Sequence, residues 1–109
     1  MKYMNRTFVF LSRHEPTDQQ KKIAAEKGIT ILKGNDVDAF GDRLYYEIES
    51  WKSIAHGIIC VHPVVALMAH QLGFAVGVFN NINRAPIGEK PQFETTSLAV
   101  FEPARFSSR

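Results

Sequence analysis

The stretch Thr7-Phe8-Val9-Phe10-Leu11-Ser12-Arg13-His14-Glu15-Pro16-Thr17 decides the fold. Its first half is apolar without alternation, as a strand is when both of its faces are buried in a parallel sheet. Its second half is a polar cluster that ends at a helix start. The arrangement recurs twice: Gly57-Ile58-Ile59-Cys60-Val61 runs into His62-Pro63, and Phe74-Ala75-Val76-Gly77-Val78-Phe79 runs into Asn80-Asn81-Ile82-Asn83-Arg84. If these strands are parallel neighbours, all three clusters lie along the carboxyl edge of one sheet. Open α/β sheets hold their ligands in the crevice beyond that edge.

Working outward, Thr17 reads as a helix N-cap and Gln20, three residues on, completes a capping box. The helix runs to Gly28 with Ile23 and Ala24 as a narrow apolar face, and Ile29–Leu32 forms a second strand closed by Lys33-Gly34-Asn35. Such a strand-helix-strand unit has a right-handed crossover. From Asp36 to Ala55, Val37, Phe40, Leu44 and Ile48 keep helical spacing, while Leu44, Tyr46 and Ile48 also alternate like a strand. Gly41 weakens a continuous helix, but a crossover between parallel strands favours one, with Trp51 and Ile54 covering the sheet. Pro63 suits a first helical position, and Val65, Met68, Ala69 and Leu72 line one face of the helix that Gly73 ends. After a proline- and glycine-bearing loop, Gln92–Phe101 alternates as a last strand. No helix separates it from its predecessor, so it is expected to be antiparallel and near an edge.

A chain of 109 residues, 45% hydrophobic and 22% charged, has the size and composition of one globular domain. We assign residues 1–102 to that domain and 103–109 to a loose tail. The net charge of +2 is too small for a protein that coats a long duplex nucleic acid. Asp36, Asp38, Asp42, Glu47 and Glu49 make the middle acidic, whereas Arg13, Lys33 and Arg84 fall near strand ends, which suits a small anionic ligand. The lone Cys60 sits inside an apolar strand and reads as a core residue. No apolar run approaches the ~20 residues that span a bilayer, and the amino terminus lacks a signal-peptide pattern. The expectation is a cytoplasmic protein without membrane contact.

The first loop carries the most chemistry. Ser12 and Thr17 offer hydroxyls, Arg13 a fixed cationic fork, and His14 a group that titrates near neutrality, all beside a helix N-terminus that attracts anions. Thr17 is a cap whatever else it does; Arg13 and His14 also fit plain surface roles. His62 stands where Ser, Thr, Asp or Asn would cap a helix, so the amides of Val64 and Val65 are expected to be open to a phosphate. A histidine bonded to a neighbouring loop is the alternative. Asn80, Asn81, Asn83 and Arg84 form a donor-rich strand end, with Arg84 the natural phosphate ligand, although loop asparagines often only fix turns. His56 and His70 read as structural. No histidine pair has metal-ligand spacing, and neither a dinucleotide-binding nor a P-loop glycine motif is present, so no metal or cofactor is expected.

The stretch from Phe8 to Gln20, with His14, Thr17 and Gln20 in an H-x-x-T-x-x-Q pattern, resembles the opening of small CRISPR-associated accessory proteins. His62-Pro63, the helix and glycine-containing strand that follow, and Asn83-Arg84-Ala85-Pro86 are similar to their second half; here Arg13 stands between the serine and the histidine. The resemblance implies a Rossmann-like fold, a homodimer or larger assembly, and binding or metal-independent ring-nuclease cleavage of cyclic oligoadenylate messengers. His14 and His62 would then be catalytic, and Ser12, Arg13, Thr17, Lys33, Asn80, Asn81, Asn83 and Arg84 would bind the ligand. The alternatives are a non-catalytic nucleotide or small-anion binder of phage or bacterial origin, or a structural homo-oligomer. The expected architecture is a three-layer α/β domain with a mostly parallel five-stranded sheet, order 2-1-3-4-5, and an antiparallel last strand. Tyr45, Tyr46, Trp51 and the free edge strand suit a C2 homodimer.

Overall fold

The computed structural model describes residues 5–35 and 41–103. Along the chain lie β1 (Arg6–Phe10), α1 (Asp18–Glu26), β2 (Ile29–Lys33), α2 (Leu44–Glu49), β3 (Gly57–Ile59), α3 (Pro63–Gln71), β4 (Ala75–Asn83) and β5 (Phe93–Phe101). The five strands form one sheet in the order β2-β1-β3-β4-β5. The first four are parallel, and β5 runs antiparallel to β4. This is the expected Rossmann-like α/β architecture.

Strand parity divides the core into two layers. Phe8 and Phe10 of β1, Ile59 of β3, and Ala75 and Phe79 of β4 pack with Ala24 of α1 on one face. Val9, Leu11, Ile58, Cys60 and Val76 pack with Leu44 and Ile48 of α2 and Val65 and Ala69 of α3 on the other. Both faces are covered, which explains why the inner strands are apolar at every position. Phe10 meets Phe79 edge to face, with ring centroids 6.2 Å apart. Gly57 is demanded by this packing, because a Cβ there would stand 2.4 Å from a ring carbon of Phe8.

Local signals explain the helix ends. Thr17 Oγ1 accepts from Gln20 N at 3.0 Å, and Gln20 Oε1 accepts from Thr17 N at 3.0 Å, a complete capping box. Gly28 ends the helix at φ 73°, a left-handed value that glycine adopts without a Cβ clash. In α2 the helical reading prevails over the alternating one: Leu44 and Ile48 are buried and Tyr46 is exposed. Residues 36–40, with Asp36, Val37, Asp38 and Phe40, and the tail residues 104–109 lie outside the described residues.

Three expectations need correction. Ile54 does not cover the sheet: it is 55% exposed, while Trp51 alone packs against the core. β4 does not end at Phe79 but continues through Asn80, Asn81, Ile82 and Asn83, because β5 supplies a ladder partner for each. The simple alternation of β5 also fails. The pairing steps from Asn80↔Ser97 to Asn81↔Thr95, so Thr96 is an inserted bulge residue. Thr95 and Leu98 are therefore both buried although their numbers differ in parity.

Candidate functional site at the carboxyl edge

Chain direction reverses across the sheet between β1 and β3. From β1 the chain passes through α1 to β2 on one side, then crosses by α2 to β3 on the other. Such a switch point leaves a crevice at the carboxyl ends. Here the two strand exits are bound together: Phe10 pairs with Ile59, and Leu11 N donates to Ile59 O at 3.0 Å. The loop bearing Ser12, Arg13 and His14 and the turn bearing His62 thus leave the sheet as neighbours. Lys33 is one strand farther out, paired with Phe10.

In the first loop Arg13, His14 and Glu15 are exposed and Pro16 is buried, anchoring the start of α1. Ser12 Oγ accepts from His14 N at 3.1 Å, a local turn that sets the loop's shape. Thr17 is occupied by the capping box, which uses the amide of Gln20; in a helix the amides just before it, those of Asp18 and Gln19, have no intrahelical carbonyl. His62 differs from expectation. Its Nδ1 accepts from Val64 N at 3.1 Å, so the imidazole itself caps α3 and the Val64 amide is not open to a phosphate. An accepting Nδ1 puts the ring proton of neutral His62 on Nε2. Lys33 Nζ donates to Gly34 O at 2.7 Å and pins the turn after β2.

The asparagines and Arg84 are not a loop at this edge: they continue β4 past it, with Arg84 just beyond the far end of the strand. β4 leaves β3 after the Gly77↔Ile59 pair, and Arg84 lies seven residues farther on, about 20 Å at strand spacing. Each polar side chain there serves the hairpin. Asn80 Nδ2 donates to Ser97 Oγ at 2.6 Å, and Asn83 Oδ1 accepts from Ala85 N and Gln92 N at 3.0 and 2.9 Å. Arg84 Nε donates to Glu94 at 2.7 Å in an exposed ion pair.

Sequence reasoning missed the polar link between α1 and that hairpin. Buried Thr95 donates through Oγ1 to Asn81 Oδ1 at 2.5 Å and accepts from Gln20 Nε2 at 3.2 Å, while its backbone N donates to Gln19 Oε1 at 3.2 Å. Gln20 thus closes the capping box with one end and holds β5 with the other. The bulge at Thr96 hid this contact, because it alters which residues face inward. His56 and His70 hold the frame: His56 Nδ1 accepts from Thr7 N at 3.3 Å, and His70 Nε2 lies 3.1 Å from Glu102 O.

Burial pushes the Cys60 thiol up to about 11, so it is neutral and unreactive near pH 7. Among the described residues no three of His, Cys, Asp and Glu converge as metal ligands would, and no helix is long and apolar enough to cross a membrane. Compared with known protein families, curated proteins and solved structures, the chain has no significant match in any of the three.

Proposed function

We propose that the carboxyl edge between β1 and β3 binds a small nucleotide-like anion, with a cyclic oligoadenylate as the candidate ligand. The observation that carries this reading is the pairing of the two strand exits at the switch point, which makes Ser12, Arg13 and His14 neighbours of the His62 turn. Lys33 adds a second cation one strand away, and the amides of Asp18 and Gln19 offer donors at the N-terminus of α1. The choice of cyclic oligoadenylate rests on the resemblance of the segment from Phe8 to Gln20.

Cleavage is the further step of the same reading. A ribose 2′-hydroxyl gives its proton to solvent water as its oxygen attacks the adjacent phosphorus, the P–O5′ bond breaks, and a 2′,3′-cyclic phosphate and a 5′-hydroxyl result. The protein need supply no nucleophile. It must hold the in-line geometry, stabilise the phosphorane charge and deliver a proton to the departing 5′-oxygen. His14, exposed at the crevice, is the proposed acid, and Arg13 the phosphate ligand. His62 borders the same crevice with its Nδ1 committed to α3.

Incubation of the purified protein with cyclic tri-, tetra- and hexa-adenylate, with and without chelator, tests both steps. Linear product in chelator establishes metal-independent cleavage. A rise in melting temperature without product establishes a binder. Neither product nor shift with any ring refutes the reading and leaves a structural homo-oligomer.

A further inference from the structure

We propose that two copies of this chain pair through the outer edge of β5, antiparallel about a two-fold axis at Ala99, forming one continuous ten-stranded sheet. This is independent of what the carboxyl edge binds. β5 is nine residues long and ends the sheet, so among the described residues one side of its backbone has no strand partner. Natural edge strands are usually blunted by Lys, Pro or inward charges. β5 contains neither Lys nor Pro, and its only charge, Glu94, is already paired with Arg84. The opposite edge, β2, is shorter and ends in Lys33.

The register follows from what is already occupied. The bulge lies at Thr96 and the Thr95 amide is taken by Gln19, so the regular free stretch is Ser97–Phe101. Its midpoint is Ala99. An antiparallel pair centred there sets Phe101 of each copy opposite Ser97 of the other and keeps equivalent faces on the same side.

Pairing of so few residues falls short of the roughly 800 Å² per partner that a lasting interface buries. An apolar groove adjoins this edge and adds contact area, about 340 Å³ in volume and lined by Ala66, Leu67, His70, Val76, Val78 and Phe101. α3 covers β3 and β4 but leaves this side open, with Leu67 60% and Phe101 56% exposed. Joining the edges brings both grooves side by side across the axis, so each copy covers the other's apolar side chains. The same surface serves both partners, as a two-fold interface requires.

The pairing of residues 97 and 101 supplies the test. Sedimentation is measured at about 10–100 µM, suited to a micromolar interface, for wild type, for Ser97→Lys with Phe101→Lys, and for Ser97→Glu with Phe101→Glu. Wild type is expected to be a dimer. Each charged variant alone is expected to be a monomer, its dissociation constant raised at least about 100-fold by like charges placed opposite each other. An equimolar mixture of the two is expected to dimerise, which also shows that both variants fold. A monomeric wild type, a dimeric lysine variant, or a mixture that stays monomeric overturns the proposal.

Discussion

His14, His62 and Cys60 are three titratable side chains of the same sheet edge and its strands, and their surroundings give them three different tasks. His14 is exposed and its backbone is tied through the Ser12 turn, so removal of its side chain costs the fold little. His14→Ala is expected to change stability by less than about 0.5 kcal/mol. If His14 is the acid, turnover of the cyclic substrate falls by a factor on the order of 10² to 10⁴ while affinity holds. Unchanged single-turnover rates would remove it from that role. His62 cannot be read by an alanine variant, because alanine also deletes the cap of α3. His62→Asn keeps a capping oxygen and removes the imidazole, so it should recover part of the urea midpoint that His62→Ala loses, and a functional deficit that persists in it belongs to the ring. Cys60 is read through pH. Burial holds its folded value at about 11, above the ordinary thiol value of 9.0, so ionisation favours the unfolded chain. The stability linked to the neutral thiol is complete below pH 9 and is lost as pH rises toward 11. The difference in unfolding free energy between wild type and Cys60→Ala should therefore shrink across that window, and a difference independent of pH would contradict the burial argument.

At the scale of elements, what could be read from sequence was what each segment decides for itself. The capping box of Thr17 and Gln20, Gly28 after α1 and Pro63 opening α3 are local signals, and each appears in place. The layering was also legible, because apolar runs without alternation require helices on both faces. The end of β4 was not. An Asn-rich run is poor strand material by itself, and only the ladder with β5 makes it one. The bulge at Thr96 was equally silent, since nothing local marks the residue that two paired strands leave out. Both features bear on the candidate site: Asn80, Asn81 and Asn83 are strand residues of the hairpin with Arg84 at its far end, while Asn81 reaches the N-terminal turn of α1 through Thr95. The link between α1 and β5 then becomes a testable joint. Thr95→Val keeps the volume and deletes the hydroxyl that holds both Gln20 and Asn81, at an expected cost of about 1–2 kcal/mol in urea unfolding. A midpoint equal to or above that of wild type would show that the network adds nothing. Arg84→Ala is expected to leave ligand binding intact, because its exposed pair with Glu94 is remote from the crevice.

For the whole molecule, stability is distributed unevenly between a two-layered core and a hairpin that leaves it. β1, β3 and the first half of β4 are sealed on both sides, with Phe8, Val9 and Ile58 at 0% exposure. Beyond Gly77 β4 keeps only β5 as a strand neighbour among the described residues, Phe79 is its last core residue, and from Asn80 to Asn83 every residue is exposed. From Asn80 outward the hold on the body is the polar contact of Gln19, Gln20 and Asn81 with Thr95, which is worth far less than the buried layer that Phe79 and Leu98 join. Opening of the hairpin should therefore need much less free energy than unfolding of the sheet. Native-state hydrogen exchange is expected to order the amides accordingly. Phe8, Val9 and Ile58 should exchange only through global unfolding, whereas Ile82 and Glu94 should exchange through local opening, faster by several orders of magnitude. Thr95→Val should speed exchange in the hairpin without changing the ratio between Val9 and Ile58. Equal protection in the hairpin and in β1 would mean that the two unfold as one unit, and that the polar joint at Thr95 couples them more tightly than its contacts explain. If the β5 edge pairs with a second copy, protection should rise at Ser97–Phe101 with protein concentration and stay constant at Ile82.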